Sequence, residues 1–168
     1  MIVSGRPDIE FRPVEPSDAS LLRRLYSSGR PELSLVGWSS AQLEAFLEMQ
    51  FSARERTYRE QFPAADNLLI LAGGQPAGRL YVERSRKEVR IVDIALLPEH
   101  RGTGIGSALI TALQEEAAAA GLPLALHVET GNRAANLYRR LGFIIDAADS
   151  VYNAMRWLPQ PVAAGSGR

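Results

Sequence analysis

The sequence contains no cysteine, two histidines and a single lysine, Lys87. Without cysteine the chain can form no disulfide, no thiolate metal site and no cysteine nucleophile. The two histidines, His100 and His127, are too few for the usual structural zinc sites, so we expect no metal. The chemistry of the protein must therefore rest on carboxylates, hydroxyls, arginines and the backbone.

Neither sign of charge is in excess, and long apolar runs are missing. The 19 Lys and Arg residues balance the 19 Asp and Glu residues, which gives a formal net charge of +0. This balance disfavours nucleic acid and anionic membranes as partners, so local groups have to bind any anionic ligand. No apolar stretch approaches the roughly 20 residues of a membrane span, and residues 1–10 do not resemble a signal peptide. We therefore expect a cytoplasmic protein with no membrane or nucleic-acid partner.

What remains is an ordinary globular composition. The chain has 168 residues, of which 46% are hydrophobic and 23% charged. These values are typical of one domain with a substantial core. Residues 159–168 are rich in Pro, Ala, Gly and Ser, which predicts a disordered tail. We expect a single domain over residues 1–158.

The order of the predicted elements indicates a mixed α/β fold. Helices are expected from Pro16, from Ser39 or Ser40 to Pro63, and over residues 107–120 and 132–141, with a connection over residues 29–37. Strands are expected over residues 10–14, 68–72, 77–82, 89–97, 124–129, 143–146 and 152–157. An antiparallel meander is thus followed by crossover units.

A glycine-rich turn over residues 101–106 lies between a predicted strand and a predicted helix. Closely spaced glycines allow backbone N–H groups to converge, and a helix N-terminus adds positive potential, so this turn is typical of a phosphate site. The dinucleotide motif G-x-G-x-x-G fails, because Ser107 or Leu109 stands where its third glycine is needed. A Walker loop fails too, because the turn has no lysine.

Two ordered motifs resemble the GNAT superfamily of acyl-CoA-dependent N-acyltransferases. The turn fits the signature (Q/R)-x-x-G-x-(G/A) through Arg101, Gly104 and Gly106. Residues 132–143 then resemble the closing N…A…LY…LGF block of the family. The resemblance implies acetyl-CoA as the acyl donor, no metal, and a mostly antiparallel twisted sheet of about six to seven strands flanked by about four helices.

The resemblance also implies which residues bind acetyl-CoA. Backbone N–H groups of residues 102–107 would hold the pyrophosphate, and the pantetheine arm would pair with residues 94–97, where the strand carries a bulge and splays from its neighbour. The N–H of Leu96 would stabilise the oxyanion. The implied cofactor-binding residues are Ile94, Leu96, Leu97, Arg101, Gly102, Thr103, Gly104, Ile105, Gly106, Ser107, Asn132, Ala135 and Tyr138.

Candidate catalytic residues come from the same comparison and from charges in apolar strands. Tyr138 occupies the position of the general acid, although a tyrosine on this helix face could equally serve the core. Asp93 interrupts an apolar strand and could act as a base, or it could form an ion pair with Arg79. Glu129 is a second candidate base, with a solvated strand-end carboxylate as the alternative.

The expected acceptor site is less defined. His127 could shuttle a proton, although a hydrogen-bonded core histidine is the commoner meaning. In this superfamily the acceptor commonly meets the segments that here are residues 29–40 and 146–152. Trp38 could form an aromatic wall or a buried helix start. Gln50 and Arg54 share a helical stripe that is either a solvated face or a polar lining for a carboxylate-bearing acceptor.

We therefore expect an enzyme that transfers an acetyl group from acetyl-CoA directly to a primary amine of a small molecule, peptide or protein. The alternative is a non-catalytic acyl-CoA sensor or partner-binding module on the same fold, which would keep the glycine turn without a working acid and base. Tyr138 favours the enzyme. Family habit also suggests a homodimer.

Overall fold

A computed structural model describes residue 2 and residues 4–160, and it confirms the predicted fold class. Seven strands form one sheet in the order β1-β2-β3-β4-β5-β7-β6. The strands are β1 Ile9–Pro13, β2 Asp66–Ala72, β3 Gln75–Arg84, β4 Val89–Leu96, β5 Leu124–Glu129, β6 Ile144–Ala148 and β7 Tyr152–Trp157. The helices are α1 Ala19–Ser28, α2 Ser40–Gln61, α3 Ile105–Ala120 and α4 Ala134–Arg140. Of the predicted tail, residues 161–168 lie outside the described residues.

The sequence patterns explain most of the element boundaries. Helix α2 begins where the side chain of Ser39 accepts a hydrogen bond from the Gln42 N–H and Gln42 caps the Ser39 N–H in return. Helix α3 ends at Gly121, which adopts a left-handed conformation. It begins at Ile105, two residues before the predicted start, because Gly104 already serves as its N-cap. The predicted connection over residues 29–37 contains a short 3-10 helix, Pro31–Leu35.

Two hydrophobic clusters hold the helices to the sheet. The larger cluster joins α3 to both halves of the sheet through fully buried side chains such as Leu80, Leu109, Leu113 and Leu124. The smaller cluster packs α1 and α2 against the end of β4 through Leu22, Leu25, Tyr26, Phe51 and Leu97. This packing fixes α1 and α2 over the place where the sheet opens.

The sheet opens between β4 and β5, its only parallel pair among the described strands. Tyr81 pairs with Asp93 but Val82 pairs with Ile91, so Val92 is the extra residue of a β-bulge. Residues 89–91 of β4 pair with residues 124–126 of β5, and the two strands diverge beyond them. The predicted bulge and splay are present, with the bulge two residues before the predicted segment that starts at Ile94.

Within the described residues, none of the helices has the length and apolar character needed to cross a bilayer.

Candidate active site

A cavity of about 220 Å³ lies where β4 and β5 diverge. Residues 91–95 form one wall and residues 126–129 form the other, while α1, α2 and α4 contribute side chains around them. All three predicted catalytic residues, Tyr138, Asp93 and Glu129, line this cavity. The fold therefore brings together groups that lie on β4, β5 and α4.

The glycine turn follows directly after the open edge of β4. Gly102 and Gly104 adopt positive φ angles of 70° and 82°, which expose successive N–H groups on one side of the turn. The N–H groups of residues 102–107 donate no hydrogen bond to any part of the chain that the structure describes. A convergent set of free donors at the start of the 16-residue helix α3 suits a pyrophosphate.

Side-chain hydrogen bonds stabilise the glycine turn. The Arg101 Nε–H donates to the Leu96 carbonyl at 3.0 Å, and its Nη2 donates to the Ser28 hydroxyl at 3.0 Å. The Thr103 hydroxyl donates to the His100 carbonyl at 2.6 Å. Arg101 thus ties the turn to β4 and α1, so its place in the motif has a structural reason.

The N-terminal segment also reaches the turn. The Nη1 of Arg6 donates to the Thr103 carbonyl at 2.8 Å while the same guanidinium pairs with Asp8 at 2.6 Å. Nothing in the sequence pattern marks Arg6, which lies far from the turn along the chain.

The unpaired edge of β4 presents two N–H groups to the cavity side. The Leu97 N–H donates to the Ala77 carbonyl at 2.8 Å, toward β3. Because successive N–H groups of a strand alternate in direction, those of Leu96 and Ile94 point the other way. Leu97 itself is only 2% exposed and belongs to the smaller core cluster. The amide and side chain of Leu97 are thus engaged within the fold, and its assignment to the cofactor site stays a prediction.

Tyr138 lies on α4 and is 7% exposed, with its ring against Phe143 at 5.8 Å between centroids. Burial, together with the nearby charge of Asp93, raises the pKa of Tyr138 to about 12. The ring thus serves both the core and the cavity. Its hydroxyl stays protonated at neutral pH.

Asp93 lies on β4 with a side chain that is 14% exposed. Its Oδ2 is buried and has no hydrogen-bond partner among the described residues. The nearest cations are Arg54 Nη2 at 3.6 Å and Arg79 Nη1 at 3.8 Å, both beyond hydrogen-bond distance. The predicted ion pair with Arg79 exists only in this loose form, so an acceptor oxygen of Asp93 is left for a ligand.

The main partner of Arg79 is Glu55 on α2, which sequence reasoning did not find. The two side chains form a bidentate pair at 2.5 and 2.9 Å, and the Arg79 side chain is 2% exposed. The Arg79 Nε–H also donates to the Asn67 side chain at 2.8 Å. An arginine in the middle of the apolar β3 strand was the available signal, because such a charge has to be paired when buried.

Glu129 at the end of β5 accepts a hydrogen bond from Arg30 at 3.0 Å and is partly exposed. His127 on the same strand is exposed, and its Nδ1 lies 3.0 Å from Arg90 Nη1. Burial, followed by the charge of Arg90, lowers the pKa of His127. The interpretation of His127 as a core residue was wrong, because β5 turns that face toward the cavity mouth.

A side-chain hydrogen bond stabilises the start of α4. The Asn132 side chain accepts a hydrogen bond from the Ala134 N–H at 2.9 Å, and Ala135 is buried beneath it. Asn132 also lines the cavity. Its observed contact orients the helix that carries Tyr138.

A second cavity of about 510 Å³ adjoins the first and shares several of its walls, including Arg54 and Tyr58. Gln50 lines this second cavity together with Arg54. Trp38 lines neither cavity; it is 42% exposed and packs edge-on against Phe46 at 5.0 Å. Gln50 and Arg54 thus line the same cavity. Trp38 lies apart from them, because it precedes the capped start of α2 at the surface.

Within the described residues, no three side chains of the metal-ligating types lie close enough together to hold a metal ion.

Comparison with known proteins identifies the family of the chain. Residues 33–143, about two thirds of the chain, match the sequence model described as "Acetyltransferase (GNAT) family". A mycothiol acetyltransferase from Streptomyces scabiei (strain 87.22) is 29% identical over 159 residues, which cover 86% of this chain and 50% of that protein. The chain therefore spans about half the length of this curated relative.

Solved structures share the fold at low sequence identity. The PaiA N-acetyltransferase from Thermoplasma acidophilum, in complex with coenzyme A, superposes with a TM-score of 0.64 at 17% identity, covering 89% of this chain and 98% of that one. The ribosomal-protein-S18-alanine N-acetyltransferase from Escherichia coli gives a TM-score of 0.61 at 20% identity, with 94% and 97% of the two chains covered.

Proposed function

Since the chain belongs to the acetyltransferase (GNAT) family, we propose that it transfers an acetyl group from acetyl-CoA directly to a primary amine of a small molecule, peptide or protein. The observation that carries this proposal is the open edge of β4. It leads from the cavity with Asp93 and Tyr138 to the free N–H groups of the glycine turn. One continuous path thus offers a phosphate site and a reaction site.

The residues present suit acetyl-CoA. The N–H groups of residues 102–107 would hold the pyrophosphate, and the edge N–H groups of Ile94 and Leu96 would pair with amides of the pantetheine arm. Acetyl-CoA supplies the activated thioester. Two residues of the implied set, Ile105 and Ala135, are buried in the core cluster, so only their backbone or position can contribute.

Asp93 is the better placed base. It accepts a proton from the bound ammonium group, and the neutral amine nitrogen then attacks the thioester carbon. Glu129 also faces the cavity, but Arg30 already donates to it. The free Oδ2 of Asp93 has no such competitor among the described residues.

Leu96 and Tyr138 act on the next two steps. The Leu96 N–H donates to the thioester oxygen as negative charge builds there, which stabilises the tetrahedral oxyanion. As the C–N bond forms and the C–S bond breaks, the Tyr138 hydroxyl donates to the departing sulfur. The nitrogen loses its second proton as the amide forms and the thiolate takes up one proton, while the proton held by Asp93 passes to solvent, so the products are the acetamide, the CoA thiol and one released proton.

The proposal is tested by free-thiol release from acetyl-CoA in the presence of a panel of amines. Amine-dependent release of thiol, with the matching N-acetyl product, supports the transferase. Binding of CoA without release across a wide panel supports the acyl-CoA sensor instead. Absence of CoA binding overturns the assignment of the glycine turn.

Three finer expectations stay predictions within this proposal. The expected cytoplasmic location follows from the sequence, and the expected homodimer follows from what is usual in the family. Whether the acceptor is a small molecule, a peptide or a protein is determined by the residues that line the acceptor part of the cavity.

A further inference from the structure

Arg54 is held in place without being hydrogen bonded. Its guanidinium lies over the ring of Tyr26 at 4.6 Å and over that of Tyr58 at 5.3 Å. Such cation–π contacts orient the planar group but use none of its five N–H donors. Its Nε is buried with no partner, and its Nη groups donate to no described residue within hydrogen-bond distance. The side chain is 26% exposed and lines both cavities.

The carboxylates near Arg54 do not satisfy it. Glu55 lies at 3.7 Å and is already engaged bidentately by Arg79. Asp93 lies at 3.6 Å, and its Oδ2 is itself buried without a partner. An unsatisfied donor and an unsatisfied acceptor thus stand side by side at the junction of the two cavities. Buried polar groups in this condition normally mark an absent ligand or solvent.

The second cavity adds positive charge to this junction. Arg30, Arg54 and Arg90 line it together with His127, and no carboxylate side chain among the described residues does so. Arg30 and Arg90 have carboxylate partners outside this lining, Glu129 at 3.0 Å and Glu88 at 2.5 Å. Arg54 is therefore the arginine of this wall whose donors remain available to a ligand.

We propose that the acceptor is a small primary amine that carries a carboxylate a few bonds from its nitrogen, as an amino acid does. This inference rests on the proposed function and names its acceptor class. The carboxylate binds the fork of Arg54, whose planar donors match it bidentately. The amine faces Asp93, and the short separation of Arg54 from Asp93 requires the two groups of the acceptor to be close together. The covalent step is the amine acetylation already described.

The first experiment compares kcat/KM for matched acceptors: amino acids, the amines obtained from them by decarboxylation, and their carboxamides. We expect amino acids to be preferred by about tenfold to 100-fold, the range of a charge-assisted pair. Arg54→Gln should remove this preference by lowering kcat/KM for amino acids alone. The control Arg56→Gln alters an exposed arginine of the same helix and should change neither class.

Equal turnover of the decarboxylated amines, or a preference for peptide N-termini, would overturn the acceptor class while leaving the transferase intact. A binding measurement makes the test independent of turnover. N-acetyl amino acids and their carboxamides are titrated into the CoA-loaded protein. Tighter binding of the carboxylates in the wild-type protein, lost in Arg54→Gln and kept in Arg56→Gln, supports the inference. Equal binding of carboxylates and carboxamides overturns it.

Discussion

At the residue scale, Tyr138 shows how burial shapes the proposed general acid. The pKa of about 12 keeps its hydroxyl protonated at every pH where the protein would work. It also makes Tyr138 a weaker acid than the thiol that leaves, since thiols have pKa values near 8.5. In the proposed mechanism its main contribution is therefore a hydrogen bond to the sulfur as negative charge develops there. Complete transfer of the Tyr138 proton to the sulfur would contribute less to the rate.

Tyr138→Phe tests this role directly. The variant keeps the ring that packs against Phe143 but loses the hydroxyl. We expect kcat to fall by about 100-fold, at the low end of acid–base effects, with the dissociation constant for acetyl-CoA nearly unchanged. Steady-state kinetics and calorimetric titration measure the two quantities. Full turnover in this variant would reduce Tyr138 to a core residue.

The raised pKa of Tyr138 also predicts the shape of the pH profile. Raising the pH deprotonates the acceptor amine and so increases the rate. A tyrosine of ordinary pKa would be half deprotonated near pH 10, whereas Tyr138 reaches that point only near pH 12. We expect kcat to show no tyrosine-dependent decline up to about pH 10.5. A decline centred on pH 9 to 10 that Tyr138→Phe abolishes would contradict this account.

At the element scale, the glycine turn offers a matched pair of substitutions. Gly104 has a φ of 82°, so Gly104→Ala imposes about 1 kcal/mol of strain and displaces the N–H groups. Gly106 is helical, and an added Cβ would meet Leu137 at an ordinary 3.6 Å. We expect CoA affinity to fall about tenfold in Gly104→Ala and less than about threefold in Gly106→Ala. Equal losses, measured by calorimetry, would mean that the conformation of residue 104 is not what the turn requires.

The contact of α2 with β3 depends on the buried pair of Glu55 and Arg79. Glu55→Ala leaves the buried Arg79 guanidinium with its hydrogen bond to Asn67 and, among the described carboxylates, only the loosely placed Asp93. We expect unfolding free energy to fall by about 3 kcal/mol, as measured by urea denaturation. Glu116→Ala, which removes a helix partner from the more exposed Arg84, should cost under about 1 kcal/mol. Similar losses in both variants would show that burial adds nothing at Glu55.

Local pattern was enough to predict the elements but not the contacts between them. The strands Leu124–Glu129 and Tyr152–Trp157 match their predicted limits, because alternation and flanking turn residues are local signals. The partner of Arg79 could not be predicted, since Glu55 lies 24 residues away and meets it only after α2 packs on the sheet. The direction of the Leu97 N–H could not be predicted for a related reason, since it depends on the register with β3.

For the molecule as a whole, the 19 basic residues equal the 19 acidic residues in number, and several of these charges are paired locally around the cavities. Around the cavities, Arg79 faces Glu55, Arg90 faces Glu88 and Arg30 faces Glu129. A protein of zero formal charge can thus keep, among the described residues, an arginine with free donors at its candidate active site. Long-range steering of a charged acceptor should be weak, so association should depend little on ionic strength.

The short pairing of β4 with β5 affects how the two parts of the sheet open locally. Only three residue pairs of backbone link the strands from β1 to β4 with those from β5 to β7, and the rest of the join is the side-chain core beneath α3. Hydrogen exchange should therefore resolve two blocks of amides, with β5 to β7 opening at lower free energy than β2 and β3. Acetyl-CoA bound between β4 and β5 would contact both groups of strands. Saturating acetyl-CoA should therefore slow exchange in β4 and β5 together. Slower exchange in β4 alone would show that the ligand contacts β4 without linking it to β5.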